Sequence, residues 1–145
     1  MTQSELEQWG RRMGHDATLP LVLALRGELG AGKSVLARAV ARGAGITQPM
    51  PSPTFNLLFE YQAPRAHVLH YDLYRLERAA EVWELGWSDL GESRQIVLIE
   101  WPERAEALLP HPRWDIFLEP NPQDETLRFV SAYRRGRAPQ LPEPA

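Results

Sequence analysis

Two apolar runs dominate the pattern of hydrophobic and polar positions along the chain. One covers residues 19–25, and the other covers residues 95–100 and ends in a carboxylate, Glu100. Because nearly every position in each run is apolar, the runs predict strands that are buried on both faces of a sheet. We expect these two strands to form the parallel centre of that sheet.

Two pairs of shorter apolar segments predict antiparallel strands beside that centre. Residues 55–61 and 67–71 flank a turn at residues 63–65, which is too short for a helical crossover, so the two strands should pair antiparallel. Residues 114–118 and 127–133 are predicted as late strands that can form a second hairpin.

Apolar residues recur at helical spacing in other parts of the chain. A first helix is predicted from a cap at Ser4 to about Gly14, and a second over residues 35–42, where glycines follow as a stop signal. Shorter helices are predicted over residues 79–85 and 103–109. With the strands, these segments predict an α/β fold whose mixed sheet has a parallel centre, antiparallel edge strands and helices on both faces.

Composition narrows the class of protein. A net charge of −3 argues against a broad basic surface for nucleic acid, and the absence of cysteine excludes disulfides, thiolate nucleophiles and cysteine zinc sites. No apolar run reaches the length of a membrane helix, and the first residues carry no signal-peptide pattern, so a cytoplasmic protein is expected. We expect one domain over residues 1–136 and a proline-rich, disordered tail over residues 137–145.

The segment between the first strand and the second helix carries the most specific motif. It reads Gly27-Glu28-Leu29-Gly30-Ala31-Gly32-Lys33-Ser34 and fits the phosphate-binding loop pattern G-x-x-x-x-G-K-[ST]. Lys33 is also the only lysine in the chain. Backbone N–H groups of such a loop, and the helix N-terminus after it, bind phosphate oxygens. The predicted nucleotide contacts are therefore Glu28, Leu29, Gly30, Ala31, Gly32, Lys33, Ser34 and Val35, with Ser34 also ligating Mg²⁺.

Two carboxylates at strand ends are candidates for the other side of this site. A phosphate-binding loop needs a carboxylate near Mg²⁺, and an apolar strand can fix it opposite the loop. Glu100 ends the run at residues 95–100, and Asp72 follows the strand at residues 67–71. Either side chain can instead cap the turn that follows it, and the residues alone leave this alternative open.

Four motifs, in their order and spacing, resemble the bacterial TsaE (YjeE) family. They are the loop at residues 27–34, Ser52-Pro53-Thr54-Phe55, His70-Tyr71-Asp72-Leu73-Tyr74-Arg75, and Leu98-Ile99-Glu100-Trp101-Pro102. TsaE proteins are small P-loop ATPases that act with the TsaD–TsaB pair in threonylcarbamoyladenosine modification of tRNA. The resemblance implies a P-loop NTPase fold, ATP and Mg²⁺ as cofactors, TsaD and TsaB as partners, contact with tRNA only through that complex, and no membrane or DNA partner.

The resemblance also implies roles for single residues. Four would be catalytic: Lys33 neutralises phosphate charge, Thr54 senses the γ-phosphate or the metal, Asp72 orients or deprotonates the attacking water, and Glu100 holds Mg²⁺ together with Ser34. Trp101, Tyr74 and Arg75 would shape the site or the partner surface. Simpler readings remain for several of them: a turn at residues 52–54, a core role for Trp101, a satisfied strand position for His70, and ion pairing of Arg75 with Glu77 or Glu84.

The expected function is an Mg²⁺-dependent ATPase, slow alone and stimulated by TsaD–TsaB, whose hydrolysis drives a conformational cycle. One alternative is a nucleotide-gated binding module with negligible hydrolysis. Another is a small-molecule kinase, for which Arg134, Arg135 and Arg137 are the arginines that a lid could use. The loop itself does not distinguish ATP from GTP, and only the family resemblance favours ATP.

Overall fold

The structure is a computed structural model that describes residues 1–50 and 56–144. The predicted switch residue Thr54, with the rest of the motif at residues 52–55, lies outside the described residues. Its implied role stays a prediction.

Six strands within the described residues form one sheet in the order β2-β3-β4-β1-β5-β6. They are β1 (Leu21–Arg26), β2 (Leu58–Gln62), β3 (His67–Asp72), β4 (Gln95–Glu100), β5 (Arg113–Pro120) and β6 (Arg128–Arg135). Strands β3, β4, β1 and β5 are parallel, whereas β2 and β6 pair antiparallel at the two edges. The predicted mixed sheet, with its parallel centre and antiparallel edge strands, is confirmed.

Two α-helices, α1 (Gln3–Asp16) and α2 (Lys33–Gly43), cover one face of the sheet. Helix α1 begins after Thr2 rather than at the predicted cap Ser4. The Thr2 hydroxyl accepts the backbone N–H of Glu5, and the Glu5 carboxylate accepts the backbone N–H of Thr2. This reciprocal capping box satisfies two N–H groups at the helix start, and for that reason the helix starts earlier than the apolar pattern suggested.

The opposite face of the sheet is covered by short 3₁₀ helices. They occupy Ala79–Leu85, Trp87–Asp89 and Pro102–Leu108, so two of them lie where short helices were predicted. One apolar cluster lies between the α-helices and the sheet, and a second lies between the sheet and the 3₁₀ helices. Neither α-helix of the described chain has the length and hydrophobicity needed to span a bilayer.

Residues 137–144 pack on the domain, although their composition predicted a disordered tail. Ala138 and Leu141 are buried, and Arg134 donates a hydrogen bond to the carbonyl of Ala138 at 2.7 Å. The segment is short of apolar residues, but tryptophan side chains elsewhere in the fold also donate hydrogen bonds to its backbone. These contacts, which composition cannot report, outweigh its low apolar content.

Candidate functional site

The predicted phosphate loop connects the end of β1 to the start of α2, at the carboxyl edge of the parallel strands. Ligand sites of open α/β sheets lie at this edge. Gly27 has φ +151°, and a Cβ atom there would lie 2.3 Å from the carbonyl oxygen of Leu118. Gly32 has φ +109° and directly precedes α2. The loop therefore needs glycine at both positions, since its backbone is left-handed at Gly32 and closely packed at Gly27.

The Lys33 side chain is buried within this loop. Its Nζ donates a hydrogen bond to the carbonyl of Gly27 and lies 3.3 Å from the centroid of the Trp101 ring. Burial lowers the pKa of Lys33, and the negative charges of Glu100 and two further carboxylates oppose that shift. These acidic neighbours help keep the ammonium charged, as binding of phosphate requires.

Glu100 ends β4 directly beside the loop and is 2% exposed. Its Oε1 accepts the Ser34 hydroxyl at 2.8 Å, and its Oε2 lies 2.5 Å from Nε2 of His70. Burial raises the pKa of Glu100, but the hydrogen bonds from His70 and Ser34 outweigh it and the pKa is lowered. The side chain is therefore an ionised carboxylate whose two oxygens have fixed orientations.

The chemistry of these side chains fits Mg²⁺ held jointly by protein and phosphate oxygens. A hydroxyl and an ionised carboxylate, from Ser34 and Glu100, meet at the mouth of the loop. No cluster of three or more histidine, cysteine, aspartate or glutamate side chains in residues 1–50 and 56–144 could hold a metal alone. Mg²⁺ commonly takes one or two protein ligands together with substrate phosphates and water. The structure brings together the two residues that were predicted to hold it.

Asp72 ends β3 and is in register with Glu100 on the neighbouring strand. Its Oδ1 accepts the backbone N–H of Tyr74 at 3.1 Å. Burial raises the pKa of Asp72, which makes the carboxylate a better proton acceptor than an exposed aspartate. A cleft of about 340 Å³ is lined by Asp72, Glu100, Lys33 and Ser34. The predicted catalytic residues of the described chain therefore share one cleft.

Aromatic side chains form one rim of the cleft. The ring centroids of Trp101 and Tyr74 are 4.9 Å apart, and the guanidinium of Arg104 lies 5.7 Å from the Tyr74 ring. Trp101 has φ +56°, a conformation that non-glycine residues adopt only when their surroundings enforce it. Arg75 is exposed in the same turn as Tyr74. Trp101 thus lies in the site, whereas Tyr74 and Arg75 belong to its outer edge.

Arg128, which the sequence did not predict, also reaches the loop. Its Nε donates to the carbonyl of Ala31 at 2.8 Å, and a Cβ atom on Gly32 would lie 2.8 Å from the same nitrogen. Arg128 starts β6, an edge strand 97 residues beyond Ala31. No local motif marks it, because the contact arises only from the strand order.

The chain is similar to known proteins over most of its length. The family model described as Threonylcarbamoyl adenosine biosynthesis protein TsaE matches residues 1–128. The crystal structure of YdiB from Bacillus subtilis matches with a TM-score of 0.72 at 25% identity, over 94% of this chain and 82% of that chain. With the strand, loop and helix described above, this likeness identifies a P-loop NTPase fold.

Two curated relatives carry the description tRNA threonylcarbamoyladenosine biosynthesis protein TsaE. One, from Synechocystis, is 36% identical over 105 residues, which are 70% of this chain and 67% of that protein. The other, from Nostoc, is 41% identical over 98 residues, or 66% of this chain and 60% of that protein. The aligned part of this chain thus spans about two thirds or less of these relatives' lengths. The family match itself runs from residue 1 to residue 128, and it shows that the chain belongs to the TsaE family.

Proposed function

We propose that this chain is an Mg²⁺-dependent ATPase that acts in threonylcarbamoyladenosine modification of tRNA. The observation that carries the proposal is the contact of the Ser34 hydroxyl with the ionised Glu100 carboxylate, beside the buried ammonium of Lys33. This is the donor set that an Mg²⁺–nucleotide complex requires. The family and the names of its relatives support the role in tRNA modification.

Binding of the polyphosphate falls to the loop and the start of α2. Backbone N–H groups from Gly30 to Ser34 bind phosphate oxygens, and Lys33 neutralises charge on the β- and γ-phosphates. Ser34 and Glu100 would hold Mg²⁺, which would neutralise further phosphate charge. His70 acts as a positioning residue, because its ring nitrogen fixes one oxygen of Glu100 at 2.5 Å.

Asp72 acts on the water that attacks the γ-phosphate. As the water oxygen bonds to phosphorus, the bond from phosphorus to the β–γ bridging oxygen breaks, and ADP leaves. Asp72 orients the water and accepts its proton, so the products are ADP and inorganic phosphate. A raised pKa suits this carboxylate to the task. Thr54 is proposed to sense the γ-phosphate or the metal.

We expect slow ATP turnover by the chain alone and stimulation by TsaD–TsaB, because three arginines that could have assisted catalysis make other contacts. Arg128 reaches the loop but donates to the carbonyl of Ala31. Arg134 and Arg135, which a kinase lid could use, contact the carbonyl of Ala138 and the carboxylate of Asp115 instead. We infer that the partner complex supplies or orders a cationic group that these three arginines do not provide, and that tRNA is reached through that complex.

The test is ATP hydrolysis by the pure protein, alone and with its cognate TsaD–TsaB pair, beside a Lys33→Ala control. Strong stimulation that disappears in the control supports the proposal. ATP-dependent association with the pair but no hydrolysis would replace it with a nucleotide-gated binding module. If neither stimulation nor association occurs, the proposal fails and a screen for kinase substrates is the next step.

A further inference from the structure

In residues 138–143, the burial of the side chains repeats every three residues. Ala138 and Leu141 are buried, Pro139 and Pro142 are half-buried, and Gln140 and Glu143 are exposed. A strand repeats every two residues and an α-helix every 3.6, whereas a polyproline II helix repeats every three. The segment also has the spacing P-x-x-P at residues 139–142. Both the burial period and this spacing are those of a polyproline II ligand.

Two tryptophan side chains hold the backbone of this segment. The indole N–H of Trp114 donates to the carbonyl of Pro139 at 2.7 Å, and that of Trp9 donates to the carbonyl of Pro142 at 2.8 Å. These carbonyls are three residues apart, so they point the same way on successive turns of a polyproline II helix. Aromatic-lined grooves are the usual means by which proteins recognise P-x-x-P segments.

The segment leaves open space beside it. A cavity of about 450 Å³ is lined by Met1, Trp9, Trp114 and Val130 of the domain and by Leu141 and Pro142 of the segment. That volume lies in the range typical of ligand pockets. Because apolar space remains beside the bound segment, a proline-rich segment with bulkier apolar side chains can bury more surface in the same place.

Few contacts keep the segment in place. It follows an exposed bend at Gly136, and it buries the side chains of Ala138 and Leu141. The hydrogen bonds that its backbone accepts from described residues are the two from the indoles and those from Arg134 to the Ala138 carbonyl. Segments with few buried apolar contacts open locally at a lower free energy than the whole domain unfolds.

We propose that Trp9, Trp114 and the cavity beside them form a polyproline-binding groove, which residues 138–143 occupy in cis. A P-x-x-P segment of a partner protein is the external ligand that replaces them. The cis segment acts as a competitor, since its short tether gives it an effective concentration of about 1 mM. This proposal does not rest on the ATPase function, because the groove and the nucleotide cleft are lined by different side chains, Arg128 excepted.

The test uses the full chain with Leu141→Asp, which places a charge at a buried position of the segment. Gln140→Asp is the matched control, because it adds the same charge at an exposed position. The indole N–H signals of Trp9 and Trp114, assigned with tryptophan-to-phenylalanine variants, report occupancy of the groove by NMR. The probe is an octapeptide with the sequence of residues 137–144.

The indole signals of Leu141→Asp should differ from those of the unmodified chain, and the added peptide should restore them. Half-saturation should occur below about 1 mM peptide, because the tethered segment occupies the groove at an effective concentration of about 1 mM. Gln140→Asp should respond little at the same peptide concentration. Adding Trp114→Phe to Leu141→Asp, which keeps a ring but removes the N–H donor, should weaken peptide binding about five-fold. Unchanged indole signals in Leu141→Asp, or no response to several millimolar peptide, overturn the proposal.

Two further measurements cover other outcomes. In the unmodified chain, the two indole protons should exchange with solvent through local opening, faster than the most protected backbone amides of β1. Exchange only on global unfolding would mean that the segment is not displaceable, which overturns the proposal even if Leu141→Asp does not fold. A dimer seen by sedimentation, in which copies exchange their segments, would make a second copy the occupant instead of a partner protein.

Discussion

Glu100 and Asp115 are two carboxylates that are each 2% exposed, and they lie on the strands that flank β1. Glu100 faces α2 and contacts the Ser34 hydroxyl and the His70 imidazole. Asp115 faces the opposite side of the sheet and forms ion pairs with three guanidinium groups at 2.9–3.1 Å. These belong to Arg26, Arg113 and Arg135.

Glu100 and Asp115 differ in the side chains that donate to them, and this difference distinguishes a ligand site from a structural cluster. Guanidinium groups are always charged and donate in a fixed planar arrangement, so Asp115 is neutralised and its oxygens are fully used. The Ser34 hydroxyl is a weaker partner that can turn to the same cation, so Oε1 of Glu100 remains usable by a cation while His70 fixes the other oxygen. Burial of a carboxylate alone therefore does not identify a metal ligand, whereas the kind of donor around it does.

The strongest test of this comparison is Glu100→Gln, which preserves the shape and removes the charge. We expect partner-stimulated ATP hydrolysis to fall by about 10²–10³-fold, because loss of a preorganised charge in an active site has effects of this size. Asp115→Asn, measured at a temperature where it is folded, should lose less than about ten-fold. The comparison fails if Glu100→Gln hydrolyses ATP like the unmodified protein.

The converse test is the stability of Asp115→Asn. Removing this charge leaves the buried guanidinium of Arg113 poorly paired, so the free energy of unfolding should fall by about 3 kcal/mol. Tm should fall by about 10 °C as a result. Chemical denaturation beside the unmodified protein measures the change, and a loss below about 1 kcal/mol would mean that the cluster is not structural.

The direction of the pKa shift of Asp115 determines how the stability difference between the unmodified protein and Asp115→Asn depends on pH. Burial raises the pKa of Asp115, but hydrogen bonds from Arg135, Arg113 and Arg26 outweigh it, so the pKa lies below its ordinary 3.8. The stabilisation by the charge is therefore complete above pH 3.8 and is lost as the pH falls through the lower, folded-state value. The two unfolding free energies should converge in that acid range.

A smaller effect is expected for His70→Gln, since this ring only positions Glu100. The Mg²⁺ concentration needed for half-maximal hydrolysis should rise about ten-fold, as is common when a residue that orients a metal ligand is lost. Saturating Mg²⁺ should restore most of the rate, which separates positioning from direct catalysis. His67→Gln is the matched control, because His67 lies on the same strand and faces Glu60 at 3.9 Å. An unchanged Mg²⁺ dependence would contradict the assigned role of His70.

The surroundings of Glu100 and Asp115 also show which contacts can be predicted from a sequence. Lys33, Ser34, Asp72 and Glu100 were predictable, because each belongs to a local motif at the end of an apolar run. The contacts of Arg128 with Ala31, and of Asp115 with Arg26 and Arg135, were not predictable in the same way, since they depend on strand order and on partners far away along the chain.

The packing of residues 137–144 on the domain was not predicted from composition, for a related physical reason. Composition measures what a segment can bury by itself, whereas Trp9 and Trp114 lie in elements that are remote in sequence. The strands were predicted well, because buried parallel strands require long apolar runs whatever their neighbours are. The start of α1 was missed because the cap at Thr2 depends on a side-chain pair instead of the apolar pattern.

The smallest expected effect concerns the stability of Asp72→Asn. Burial raises the pKa of Asp72, so the folded state favours the protonated form and the charge costs stability at neutral pH. Stability linked to this group is complete below the ordinary pKa of 3.8 and is lost as the pH rises through the higher, folded-state value. Asparagine removes the charge and can still accept the Tyr74 N–H, so the free energy of unfolding at pH 7 should rise by about 0.5 kcal/mol. Denaturant titrations beside Glu92→Gln, an exposed control, measure the change, and a clear loss of stability in Asp72→Asn would show that its charge stabilises the fold, as the charge of Asp115 does.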